Sequence, residues 1–99
     1  MKSQKLRSDI TSFYQYENES LYEAWERFKE LLRRCPHYGL PKWMLVQTFY
    51  NGLSMNTQLI VDTASGGTIN NKTPEEAYEL IEIMASNNHM KNDRNIIKK

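Results

Sequence analysis

The sequence is short of the residues that would announce most specialised chemistries. It has one cysteine, Cys35, and so cannot form an internal disulfide or a cysteine-based zinc knuckle. With only three prolines and four glycines it holds no low-complexity linker, and no internal repeat is present. It contains no run of about 18 apolar residues, so no membrane span is expected. Met1-Lys2-Ser3 leads into no signal-peptide core, which sets the expectation of a cytoplasmic, reduced protein. The sequons Asn18-Glu19-Ser20 and Asn71-Lys72-Thr73 matter only in a secreted chain. Charge of one sign is scarce as well, the net being +1. That charge is unevenly spread: residues 73–90 hold four glutamates and no Lys or Arg, and the stretch from Lys91 holds four basic residues against Asp93. Four cations make a poor nucleic-acid footprint, and the aromatics are interleaved with acids, so little direct nucleic-acid binding is expected. At 99 residues there is room for one domain. A domain of this size buries roughly 60–65% of its unfolded surface, a marginal core to which association adds stability.

What is present is helical patterning with start and stop signals. Leu6, Ile10 and Phe13 recur at helical spacing, and residues 4–13 are read as an amphipathic turn or two. This segment has no N-cap and few apolar partners of its own. It resembles the end of something longer, and Leu6, Ile10 and Phe13 are candidates for exchange onto a neighbouring copy. Ser20 and Glu23 form a capping box ahead of a stripe of Leu21, Ala24, Trp25, Phe28, Leu31 and Leu32, and Pro36 stops that helix at Cys35. Pro41 in a first turn and Gly52 as a left-handed terminator bound a second helix, Lys42 to Asn51. Ser54 caps a third, through Thr63, ended by Gly66-Gly67. Thr73-Pro74-Glu75-Glu76 opens the fourth with a second capping box, and Ala77, Leu80, Ile81 and Met84 are its inner stripe. No segment alternates with period two. The expectation is therefore an all-α domain, a compact bundle of four to five short helices. Its expected division is a leading segment over 1–14, a helical domain over 15–90 and a polar basic tail over 91–99.

The second helix carries more apolar residues than one core face needs. Leu45, Val46, Phe49 and Tyr50 cover one side, while Met44 points well away and Trp43 sits at the margin. With Gln47, Thr48 and Asn51 these two outline a second face, a large apolar anchor ringed by hydrogen-bonding groups, as interfaces are built. The alternative is that Trp43 tucks into the core and Met44 is an ordinary exposed methionine.

Several of these residues also stand in a familiar order. Gln15, Glu19 four residues later, and Arg27-Phe28 eight and nine residues after Glu19 are spaced as in the major homology region of retroviral capsid proteins, which this segment resembles. Tyr16 stands where that family has Gly. Lys42-Trp43-Met44 falls where the retroviral capsid C-terminal domain has a Trp-Met pair on its dimerisation helix. The stretch from Arg7 to Met90, notably YEAWERFKELLRRCP and LPKWMLVQTFYNGL, looks like the Gag core of gypsy-type LTR retrotransposons, particularly those of plants. The resemblance implies a capsid C-terminal-domain-like fold with Gln15, Glu19 and Arg27 in a buried hydrogen-bond network. It also implies Trp43 and Met44 at a homodimer interface, with the chain itself and neighbouring Gag domains as partners in a virus-like particle. RNA packaging falls to a separate segment in such proteins, and neither a cofactor nor enzymatic activity is expected.

Rival readings remain. A host-retained Gag-derived module for dimerisation or peptide docking would look alike, with Tyr14, Tyr16, Tyr22 and Trp25 flooring a groove once the front segment is removed. Asp62-Thr63-Ala64-Ser65 resembles the Asp-Thr-Gly/Ala loop of aspartic proteases, whose chemistry needs two such carboxylates sharing a proton on a β framework. No such framework is expected, and Asp62 is assigned to an exposed helix face. Cys35 and His37 fall short of the three or four ligands of a metal site, and His89 lies far along the chain.

Overall fold

The computed structural model describes residues 8–34 and 40–98, with side chains to residue 88. Among the described residues every regular element is helical. Helix α1, Leu21–Arg33, begins where Ser20 Oγ accepts the Glu23 N–H at 3.1 Å and Glu23 Oε1 accepts the Ser20 N–H at 3.0 Å. That reciprocal cap satisfies two donors the first helical turn leaves unpaired. Helix α2, Lys42–Asn51, starts after Pro41, which stands at the N-cap rather than inside the first turn and offers no side-chain bond. Helix α3, Met55–Ala64, is capped by Ser54 Oγ on the Thr57 N–H. Gly66 and Gly67, at φ +83° and +135°, turn the chain in a conformation that L side chains rarely adopt. A 3-10 turn, Ile69–Asn71, follows and buries Ile69. Helix α4, Pro74–Lys98, opens with the second capping box, Thr73 and Glu76 exchanging two bonds of 3.1 Å. It continues through the stretch expected as a tail, so the division at residue 90 is not a helix end.

The core is aromatic. Phe28 of α1 and Phe49 of α2 lie 5.2 Å apart by ring centroid, and Trp25 stands edge-on to Phe49 at 4.7 Å and to Tyr78 of α4 at 5.1 Å. Helix α4 packs across both α1 and α2, laying Ala77, Ile81 and Ala85 against them. The small alanines let the helix approach closely. Truncating one of these buried rings costs about 3–5 kcal/mol, a large share of what a domain this size has. Lys29 on the rim of α1 joins Glu26 and Glu82 at 3.2 and 3.1 Å, pinning α1 to α4. Among the described residues, Trp25 Nε1 is the buried side-chain polar atom with no partner.

The front segment completes this core. Residues 8–11 are helical, and the part of the expected 4–13 helix that holds Leu6 lies outside the described residues. Ile10 and Phe13 are buried on their own chain, Phe13 meeting Phe28 edge-on at 5.0 Å and Phe49 at a tilt at 5.5 Å.

Gly52 corrects an expectation. Its φ is −84° and its ψ −8°, right-handed values open to any residue, so it is not a left-handed terminator. A Cβ there would lie 2.3 Å from the Phe13 carbonyl oxygen. Glycine is needed for space, because the front segment crosses the end of α2 in backbone contact and Gln15 donates its N–H to the Gly52 carbonyl at 2.8 Å.

Candidate functional site

The crossing at Gly52 is held by a polar clasp. Arg27 lies on the side of α1 that faces the front segment. Its Nε donates to Glu19 Oε2 at 2.7 Å and its Nη2 to Glu19 Oε1 at 2.8 Å, a two-pronged pairing that fixes both planes. The same Nη2 donates to the Tyr14 carbonyl at 2.7 Å. The guanidinium lies 3.9 Å from the Tyr16 ring centroid and 4.4 Å from that of Phe13, so aromatic rings flank it while 30% of the side chain stays exposed. Glu19 Oε1 also accepts the Tyr16 N–H at 3.0 Å. The hydrogen bonds from Arg27 hold the Glu19 carboxyl below the usual carboxylate range, burial opposing and the Tyr16 N–H assisting.

Gln15 carries the clasp to a third element. Its Nε2 donates to the Glu19 carbonyl at 2.7 Å, and its Oε1 accepts the Ser54 N–H at 2.9 Å, at the start of α3. Gln15, Glu19 and Arg27 are thus joined, and they tie the front turn to α1 and to the α2–α3 junction. Tyr16, standing where the resembled family has Gly, supplies the platform under Arg27. The groups are engaged with one another, so the clasp is suited to holding shape rather than to acid–base work.

The outer side of α2 is the opposite case. Trp43 lies about a quarter-turn from the core direction set by Val46 and Phe49, and it projects with 57% of its surface exposed. Met44 is half-buried, so Trp43 is the more exposed of the pair. Gln47 and Thr48 are half-buried and Asn51 is exposed, Gln47 Nε2 donating to Asn51 Oδ1 at 3.0 Å. The five therefore share one solvent-facing side, with an aromatic anchor at one end and amides at the other.

Helix α3 carries a surface the sequence reading missed. Met55 is 85% exposed, Leu59 64% and Ile60 52%, while Val61 alone of its residues is buried. The signal was available: apolar residues occur on more sides of this ten-residue helix than one core can cover. Ile60 also borders a shallow groove whose other walls include Leu21, Thr57, Met84 and Asn88.

Asp62 is not the exposed residue it was expected to be. It is half-buried, accepting the Tyr50 hydroxyl at 2.6 Å and, at 3.3 Å, the Ile69 N–H. The bond to Asp62 pushes the Tyr50 hydroxyl up to about 12, because ionising it would set two anions side by side. Asp62 joins α2, α3 and the 3-10 turn, and it sits within a helix rather than on a strand-held loop. Of the four aromatics expected to floor a groove, Trp25 is fully buried among core rings, Tyr22 is half-buried, and Tyr14 and Tyr16 lie exposed on the front segment with ring centroids 5.3 Å apart. Cys35 and His37, and the side chain of His89, lie outside the described residues. Among the described residues no group of three or more His, Cys, Asp or Glu could hold a metal, and no helix is long and apolar enough to cross a membrane.

Compared with known proteins, the chain matches no family model, no curated protein and no solved structure.

Proposed function

We propose that the chain is a structural self-association domain of a gypsy-type retrotransposon Gag protein, contributing to a capsid or virus-like particle inside the cell. The observation that supports this most is a conjunction of two features in one small bundle. Gln15, Glu19 and Arg27, at major-homology spacing, are joined in one clasp, and α2 carries an exposed Trp43 at the position of the family's dimerisation pair. The clasp does no chemistry of its own; it makes α1 and the α2–α3 junction one rigid body that presents α2 outward. An exposed tryptophan ringed by uncharged polar groups is the composition of an interface anchor. A single such contact is weak, and many copies of it in a closed or repeating assembly make a stable shell. The partners are further copies of this chain and neighbouring Gag domains, with RNA left to another segment. No catalytic role is assigned: Asp62 is engaged by Tyr50 and Ile69 within a helical frame, which disfavours the protease reading.

Sedimentation equilibrium of wild type and of a Trp43→Ala/Met44→Ala variant, from micromolar to millimolar concentration, tests the proposal. The expected result is a wild-type monomer–dimer equilibrium that is lost in a variant still folded. A wild type that stays monomeric at millimolar concentration would sink self-assembly through this domain. A dimer that survives both substitutions would move the interface off α2, with exchange of the front segment bearing Ile10 and Phe13 as one route.

A further inference from the structure

Asn51 alone among the asparagines of this chain is followed by a glycine. At such a junction the backbone nitrogen of the second residue can attack the side-chain carbonyl carbon of the first. Glycine favours the attack, because it has no side chain to hinder the nitrogen and its torsions turn freely. We propose that Asn51–Gly52 is a self-modification site, held unreactive while the front segment closes over Gly52 and converting to aspartate or isoaspartate once that segment comes away.

The step is a deamidation. The Gly52 nitrogen, its proton taken by solvent hydroxide, forms a bond to Asn51 Cγ. The Cγ–Nδ2 bond breaks, and the side-chain amide leaves as ammonia, closing a succinimide ring. Water then opens the ring on one of two sides. Cleavage of the new bond to Cγ gives aspartate, and cleavage of the original peptide bond gives isoaspartate. One water enters, one ammonia leaves, and nothing is oxidised or reduced.

The folded chain blocks the first of these events from both sides of the junction. The Gly52 N–H donates to the Thr48 and Phe49 carbonyls at 3.2 and 3.1 Å, so it points back into the last turn of α2. The Asn51 side chain is exposed on the outside of that turn, where its Oδ1 accepts Gln47 Nε2 at 3.0 Å. Bringing the nitrogen to Cγ requires rotation about the Asn51 Cα–C bond out of the helical range, which swings Gly52 with it. Gly52 is not free to swing. Its carbonyl accepts the Gln15 N–H at 2.8 Å, and the Phe13 carbonyl fills the space where a Cβ would stand. The crossing thus excludes every side chain at position 52, and the residue it requires is the one that makes Asn51 reactive. Closure is what keeps the junction intact. An isoaspartate, once formed, routes the main chain through an extra methylene between residues 51 and 52. The Gly52 carbonyl then no longer meets the Gln15 N–H in register, so a chain that has opened and reacted cannot close as before.

Mass spectrometry with fragment-ion assignment tests this, following each asparagine of the whole chain at mildly alkaline pH in buffer and in guanidinium chloride. In denaturant Asn51 is expected to react before the other asparagines, at a rate that rises with hydroxide. In buffer it should be at least about tenfold slower, because reaction proceeds only through the opened population. Arg27→Ala loosens the clasp without touching the 51–52 junction. It should speed the reaction in buffer about fivefold or more and leave the rate in denaturant unchanged. Glu19→Gln, which keeps the shape and loses the charge pairing, serves the same purpose should Arg27→Ala fail to fold. Equal rates in buffer and denaturant, or another asparagine reacting first in denaturant, overturn the site. A rate in buffer that the folded clasp variant leaves unchanged overturns the crossing as its guard.

Discussion

The turn before α1 and the outer faces of α2 and α3 make a contrast of opposites. Around Arg27 the Glu19 carboxylate, the Tyr14 carbonyl and the Tyr16 N–H are all paired, aromatic rings lie beside the guanidinium, and a backbone crossing leaves no room for a methyl group at Gly52. Elsewhere on the surface, Trp43, Met55 and Leu59 stand more than half exposed on α2 and α3. A marginal domain that leaves large apolar side chains outside its core gives up burial it could use. On the proposed reading, folding and association rest on different side chains, so substitutions should separate them.

The largest effect should come from the crossing. Gly52→Ala places a methyl group 2.3 Å from the Phe13 carbonyl oxygen, and backbone rather than a flexible side chain must move. We expect a loss of about 3 kcal/mol in urea unfolding, with the front segment released from Phe28 and Phe49. Gly66→Ala is the control: open space surrounds it, and only its φ of +83° resists, so it should cost about 1 kcal/mol. If the two cost the same, the tight crossing is not what Gly52 serves.

The clasp should come next. Arg27→Ala leaves Glu19 and the Tyr14 carbonyl without their partner and is expected to cost about 1–3 kcal/mol. Arg27→Lys should recover only part, since an ammonium cannot grip both carboxylate oxygens and stack on Tyr16. The effect has a pH signature. The folded Glu19 carboxyl ionises below its unfolded value, so its stabilisation is fully present above the ordinary glutamate pKa of about 4.3 and is lost as pH falls below that. The gap between wild type and Arg27→Ala should therefore be widest near neutrality and close on acidification. A gap that is constant down to pH 3 would mean that Arg27 acts through packing alone.

Which of these features could be read in advance follows from how local their causes are. Both capping boxes, at Ser20–Glu23 and Thr73–Glu76, are settled within four residues, and they were legible. So was the inner stripe of α1, because periodicity reports a face directly. Gly52 was misassigned because its constraint comes from Phe13, which only the folded chain brings near. Asp62 was misassigned for the same reason: its partners Tyr50 and Ile69 belong to other elements. Gln15 was placed with Glu19 and Arg27 by the resemblance to the major homology region, but its bond to the Ser54 N–H depends on where α3 starts relative to the front turn. The bare face of α3 was missed because a pattern shows which residues are apolar and not which of them a neighbour will cover.

The smallest effect is the most telling for the contrast. Trp43→Ala and Leu59→Glu remove large side chains, and in a core either would be ruinous. On these faces more than half of the ring and of the isobutyl group is already hydrated in the folded chain, so their removal forfeits less than half the transfer free energy a fully buried side chain would. At micromolar concentration, where weak association is absent, each variant should lose no more than about 1–2 kcal/mol in urea unfolding, below the cost of truncating a core ring, with an unchanged slope. The Trp43→Ala chain at millimolar concentration should differ from wild type in mass. A loss of about 3 kcal/mol or more at high dilution, as for a core ring, would make the side chain part of the fold, and for Trp43 the face it stands on could no longer be counted as reserved for another copy.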